Sequence, residues 1–314
     1  MKLNTYILSL NKFTDKIDDA IINKNPFTKV YGLARSIIAL STLSIFLFND
    51  LDYLYNEEAL NVLSSSEFMF NKINLFGILT YQNLLIGKII SIIILLFVIS
   101  GYFPRVTGIL HFWIVYSFHN SCILLDGGDQ IATILTFLII PLSIFDNRKN
   151  HWYSEETQNG YSKLIGHITF KIISIQVSFI YLNTAIEKLY KLSEWKDGTA
   201  IYYIFSNSYF GLNNFFLNLL SPIINSKFVF IITWWVVLSH LILSYILLLE
   251  RKKKINYIVI GFIFHLGIAV FMGLYSFGFT MIGALILYIL PFNYLNKWKI
   301  KKYILKKNKF SISH

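Results

Sequence analysis

Apolar residues fall into eight runs, near 32–49, 84–103, 106–124, 130–145, 164–187, 228–249, 256–274 and 277–292. Each run is roughly 16 to 24 residues long, where an α-helix needs about 20 to cross a bilayer. None alternates with period two, as an outer-membrane strand must. The pattern predicts an all-α integral membrane protein of about eight transmembrane helices. Turn signals separate the runs: Asn25-Pro26 before the first, Phe103-Pro104-Arg105 between the second and third, Asp126-Gly127-Gly128-Asp129 before the fourth, and Tyr275-Ser276-Phe277-Gly278 before the last. The stretch 200–223 is apolar but broken by Asn, Ser and Gly, and reads as a re-entrant or interfacial helix. The start, MKLNTYILSLNKFTDKIDDAI, has a short apolar patch and no cleavage site, and reads as an amphipathic helix on the membrane surface. The expected organisation is a cytoplasmic amphipathic N-terminus (1–31), a transmembrane domain (32–292) and a basic cytoplasmic tail (293–314).

Composition agrees. The chain is 55% hydrophobic and 14% charged, whereas soluble domains carry about a quarter charged residues. That excludes a soluble enzyme and a disordered chain. The net charge of +11 has a membrane explanation rather than a nucleic-acid one. Segments 1–35, 104–106, 146–163, 250–255 and the tail from Asn293 hold 21 of the 28 Lys and Arg. Basic residues concentrate on cytoplasmic loops, so both termini are expected inside. Cys122 is the single cysteine, which excludes an intramolecular disulfide. No internal repeat of the transporter kind is evident.

Three polar clusters then fall on the outer side. The first runs from His119 through Asp126, Gly127, Gly128 and Asp129 to Gln130. Its glycines suit a tight turn, with Asp129 capping the next helix; the two carboxylates could alternatively contribute to a cation site. The second is Tyr181 to Leu189 followed by Glu194 to Ala200. There Glu187 can pair with Lys191 four residues on. Lys188 either snorkels to the interface or acts as a base, because partial desolvation eases loss of its proton. Trp195 suits an aromatic belt. The third is Phe264-His265-Leu266-Gly267, within a span, where an ionisable residue points to function. His240 is equally placed, and a neutral histidine can instead bond to a neighbouring helix. No metal-ligand pair is apparent.

The order Tyr-(x)3-Ala-(x)2-Lys-Leu, then Trp-x-Asp-Gly-Thr-Ala, then the His265 block resembles the bacterial HTTM domain. That domain is related to the membrane part of vitamin K-dependent γ-glutamyl carboxylase. The Asp-Gly-Gly-Asp-Gln turn resembles the sporulation-delaying protein B subgroup. The likeness covers roughly 30–292. It implies that Lys188 matches the lysine that deprotonates a reduced quinone, and that His265 assists. Asp197 and Trp195 come with the motif. The sequence departs from the carboxylases in having Glu187 where they carry a second lysine, and in having no counterpart of their large extramembranous domain.

For the subgroup, the resemblance implies a bacterial cytoplasmic-membrane protein that works with a small partner protein on a secreted peptide precursor. The expected function is maturation of a secreted toxic peptide at the outer face, with carboxylase-like chemistry as one route. The alternative is non-catalytic: export, immunity or peptide binding. The gathering of polar groups on one side favours an outward-facing site over a conduit.

Overall fold

The computed structural model describes residues 24–153, 158–208 and 211–295, and their regular structure is helical, with one isolated bridge between Tyr102 and Asn150. The first span is α1 (Lys29–Phe48). Four short helices follow: α2 (Leu51–Leu54), α3 (Glu57–Ser65), α4 (Met69–Lys72) and α5 (Leu75–Leu79). The chain then crosses back and forth through α6 (Leu84–Ser100), α7 (Pro104–Ser121), α8 (Gly127–Ile144) and α9 (Gly160–Lys191). Short helices α10 (Ser193–Lys196), α11 (Ala200–Phe205) and α12 (Asn214–Ile224) lead to α13 (Val229–Tyr245). The last elements are α14 (Arg251–Lys254), α15 (Ile258–Met272) and α16 (Tyr275–Ile289).

All eight apolar runs are therefore helices. Six helical stretches among the described residues are long and apolar enough to cross a membrane. Helix α7 carries Arg105 and two histidines, and α16 has only 15 residues, so both fall short of that measure. At 1.5 Å per residue α16 rises roughly 22 Å, less than the ~30 Å hydrocarbon core. Its position accounts for this. Ala284, Leu285, Leu287 and Tyr288 pack with Tyr31, Ala34 and Ile38 of α1 in the main core. A helix buried on every side is the centre of a bundle, not its wall. Helix α6 is the opposite case: Leu85, Ile89, Ile93 and Leu96 are exposed, as a lipid-facing wall requires.

Helix α9 has 32 residues, a rise of roughly 48 Å against a ~30 Å core. Its last turns therefore reach the interface and carry Glu187, Lys188 and Lys191.

Two expectations need adjustment, and one segment without a prediction takes shape. The stretch 200–223 is two short helices, α11 and α12, rather than one. The segment 50–83, for which the apolar pattern predicts no span, forms a helical cap. Within it Asn56 caps α3 and Asn74 caps α5, while Asn74 Nδ2 donates to the Ser117 carbonyl at 3.0 Å. The first span begins at Lys29, inside the segment assigned to the amphipathic N-terminus; residues 1–23 and the tail from 296 lie outside the described residues.

Candidate functional site

Helix α9 sets the register of the site. Tyr181, Ala185 and Lys188 are spaced by four and three, so they share one face. Tyr181 is buried, and its hydroxyl lies 2.8 Å from His265 Nε2 on α15. His240 of α13 joins them. Its ring is 5.8 Å from that of Tyr181 and edge-on to Phe264 at 5.0 Å. His240 Nδ1 lies 2.7 Å from the Val236 carbonyl oxygen, which can only accept. The proton therefore sits on Nδ1, and Nε2 keeps a lone pair. His240 is within electrostatic reach of Lys188 on one side and of His265 on the other. Tyr181, His240 and His265 thus form one cluster drawn from three helices, and Lys188 stands on the same face of α9 as Tyr181.

Lys188 and its neighbours divide the work on α9. The Lys188 ammonium lies 4.8 Å from the centre of the Trp195 ring, and Trp195 is buried. Such a contact contributes about 0.5–2 kcal/mol, depending on solvation. Glu187 points away and pairs with Lys191 at 2.8 Å on the exposed face, as the spacing of four anticipates. Trp195 is held by the turn that follows it. Gly198 adopts φ +75, and a Cβ there would collide with the Phe230 ring. The Trp-x-Asp-Gly motif thus has a local reason for its glycine. Asp197 is exposed beside it.

The Asp126 turn is a capping box. Asp126 Oδ1 accepts from the Gly128 and Asp129 amides at 2.6 and 3.1 Å, and Asp129 Oδ2 accepts from the Asp126 amide at 3.0 Å. Ser276 Oγ donates to the remaining Asp126 oxygen at 3.1 Å. Both carboxylates serve the start of α8, which argues against the cation reading. A Cβ on Gly128 would stand 2.7 Å from Phe277 Cα, so the turn sits directly on the first residues of α16. The Phe277 ring is in turn 5.7 Å from that of His265. The first and third clusters therefore meet through Phe277, and the second and third through Tyr181. Among the described residues no hydrogen bond or ring contact ties His119, Gln130 or Asp197 to this group. His119 is partly buried with an unpaired Nδ1, and Gln130 is exposed.

The sequence reading placed its candidate site clusters on one side only. The structure holds a second buried cluster at the opposite end of the bundle. Arg35, fully buried, donates to Thr107 Oγ1 at 2.6 Å and to His151 Nδ1 at 3.4 Å. His151 Nε2 then donates to Ser36 Oγ at 3.3 Å. Arg148 and Asp146 form a bidentate pair at 2.8 and 2.7 Å with both side chains fully buried. Arg148 also donates to the carbonyls of His151 and Tyr153. Burial, with the Arg35 and Arg148 guanidiniums nearby, pushes the His151 imidazole down to about 2. It stays neutral in the fold while an unfolded histidine protonates near pH 6.5. The unfolded state thus binds more protons below that pH, so this stability is complete above about pH 6.5 and is lost progressively on acidification.

Comparison with curated proteins places the chain. It is 39% identical over 304 residues to the sporulation-delaying protein SdpB of Bacillus subtilis (strain 168), covering 95% of this chain and 94% of the relative. The chain belongs to the SdpB family. It is also 39% identical over 272 residues to the protein YitO of the same organism, covering 85% of this chain and 87% of that one. No family model and no solved structure matches the chain. Within the SdpB family, then, this is a multi-pass helical membrane protein with a buried Tyr–His–His group and a lysine on the same face of α9.

Proposed function

We propose that this SdpB-family protein acts in a sporulation-delaying pathway of the kind its relative is named for, by maturing a secreted toxic peptide from its exported precursor at the outer face of the cytoplasmic membrane. The observation that carries the reading is the buried Tyr181–His240–His265 cluster across α9, α13 and α15, with Lys188 on the same face of α9 as Tyr181. A neutral Lys188 takes a proton from the substrate side. His240 offers its Nε2 lone pair as the next acceptor, because the Val236 carbonyl fixes its tautomer. Tyr181 holds the His265 ring in place.

A reduced quinone, which the carboxylase likeness implies, fits the residues present: Trp195, Phe264 and Phe277 supply aromatic faces, and His265 Nδ1 is a buried polar atom without a partner. Buried polar atoms are ordinarily bonded, so this one suits a ligand hydroxyl. Bound there, the quinone would supply the strongly basic chemistry on which carboxylation depends. The partners in this reading are the precursor and a small protein of the same operon.

Two tests bear on it. Removing the Tyr181 hydroxyl leaves His265 Nε2 unsatisfied at a cost of about 1–3 kcal/mol. Tyr181→Phe should therefore lower mature-peptide yield by roughly tenfold at equal membrane abundance; an unchanged yield removes the Tyr181–His265 pair from the site. For the outer-face placement, single cysteines at Gly127, Lys196 and Lys253 in a Cys122→Ser background should give labelling by an impermeant maleimide at 127 and 196 only. Labelling at 253 in intact cells, or none at the other two, reverses the topology.

A further inference from the structure

The cap formed by residues 50–83 changes character half-way along. Its first part, around α3, carries Glu57, Glu58 and Glu67, all exposed. Between Phe68 and Leu79 the charged residue is Lys72 alone. Four apolar side chains of this second part, Phe68, Met69, Phe70 and Ile73, are nonetheless exposed, Met69 by 76%. Large apolar groups gathered on a surface mark a contact with a membrane or another protein.

Two hydrogen bonds to α7 fix how deep this part lies. Trp113 Nε1 donates to the Ile73 carbonyl at 2.6 Å, and Asn74 Nδ2 donates to the Ser117 carbonyl at 3.0 Å. Trp113 and Ser117 stand eight and four residues before Ser121, the last residue of α7, which is roughly 12 and 6 Å along the helix axis. The turn from α4 to α5 therefore lies beside the outer part of α7, below its end. The start of the cap lies higher: the Leu54 carbonyl accepts from the Ile123 amide, beyond the end of α7.

The exposed surface of α4 also runs on into the lipid-facing wall. The Phe68 ring is 5.6 Å from that of Phe70, and Phe70 is 6.1 Å from Tyr116 of α7. Tyr116 is 5.6 Å from Phe112, and Phe112 is 5.4 Å from Phe137. Phe137 lies in the middle of α8 and is more than half exposed, a position that faces acyl chains. One aromatic band thus joins α4 to the membrane interior, so the bilayer that covers Phe137 extends over α4 as well.

We infer that Phe68–Leu79 is an interfacial anchor, with Phe68, Met69, Phe70 and Ile73 seated in lipid at the headgroup–acyl boundary of the leaflet at the Lys188 end of the bundle. The depth agrees, because amphipathic elements that lie in the interface are immersed by about 5–10 Å. Lys72 extends from its apolar stem to the headgroups. Glu57, Glu58 and Glu67 stay on the water side. The anchor is independent of any peptide chemistry.

Met69→Cys and Asn61→Cys, each in a Cys122→Ser background and each carrying a nitroxide, test it in vesicles of phosphatidylcholine and phosphatidylglycerol. Both native side chains are exposed, so neither substitution disturbs the packing. Collisions with oxygen, which dissolves in lipid, are compared with collisions with a water-soluble nickel chelate. The label at 69 should be reached by oxygen and protected from the chelate, at a depth of about 5–10 Å. The label at 61, on the exposed side of α3, should be open to the chelate. Phe68→Cys gives a second reading of the same face, so a disturbance at one label does not decide the outcome. Chelate access at 68 and 69 equal to that at 61 overturns the anchor. Protection of 68 and 69 from oxygen and chelate alike means that a protein covers them, and overturns lipid as the occupant.

Discussion

Lys188→Met should abolish mature-peptide production, by two orders of magnitude or more if Lys188 is a general base. The side chain lies against Trp195 and partly buried, so methionine keeps the packing while removing the amine. Lys188→Arg separates the roles. Arginine keeps the charge and the aromatic contact but cannot lose its proton near neutral pH. A base fails with both substitutions, whereas an electrostatic anchor survives the arginine. The measurement is mature peptide in the medium at equal membrane levels of each variant. Wild-type yield from Lys188→Met removes the catalytic assignment, and activity in Lys188→Arg alone favours peptide binding, immunity or export. Glu187 does not confuse the test, because it is engaged with Lys191 on the other face.

Asp146→Asn should be the most destabilising single change at the other end of the bundle. Asp146 is the carboxylate of a fully buried bidentate pair, and Arg35 lies fully buried nearby with no carboxylate of its own among the described residues. Neutralising Asp146 leaves two buried guanidiniums with no anion beside them among the described residues. Breaking such a pair from one side costs about 3–5 kcal/mol. Unfolding in detergent should show that loss, and Arg148→Gln added to Asp146→Asn should recover part of it, because the two sites share one interaction. A change within about 0.5 kcal/mol, the range of an ordinary surface substitution, would mean that the cluster is solvated and that its burial carries no energetic weight.

These two residues also show where the sequence is and is not legible. The spans were readable because a bilayer imposes length and apolarity on each helix separately; every apolar run became a helix with ends shifted by only a few residues. Lys188 and His265 were readable as ionisable groups in apolar surroundings, backed by the motif. Tyr181 entered only as a letter of that motif, because its partner His265 is 84 positions away. His240 was noted without a role; its role comes from a carbonyl one turn earlier and from two helices beside it. The cluster at Arg148 was not foreseen for a related reason. Charge counting treats every lysine and arginine of a loop as solvated, yet Arg35 and His151 are 116 positions apart and meet in the interior. Residues 50–83 carried no prediction because no apolar run there approaches a span, although short helices with asparagine caps need none.

The central claim is that this chain converts a secreted precursor into its mature form. Mass spectrometry of the precursor from cells with and without this protein tests it most directly, with the small partner protein present in both. The expected result is a mature-mass species that appears only with the protein and disappears with Lys188→Met. The same mature mass in cells lacking the protein would contradict the account.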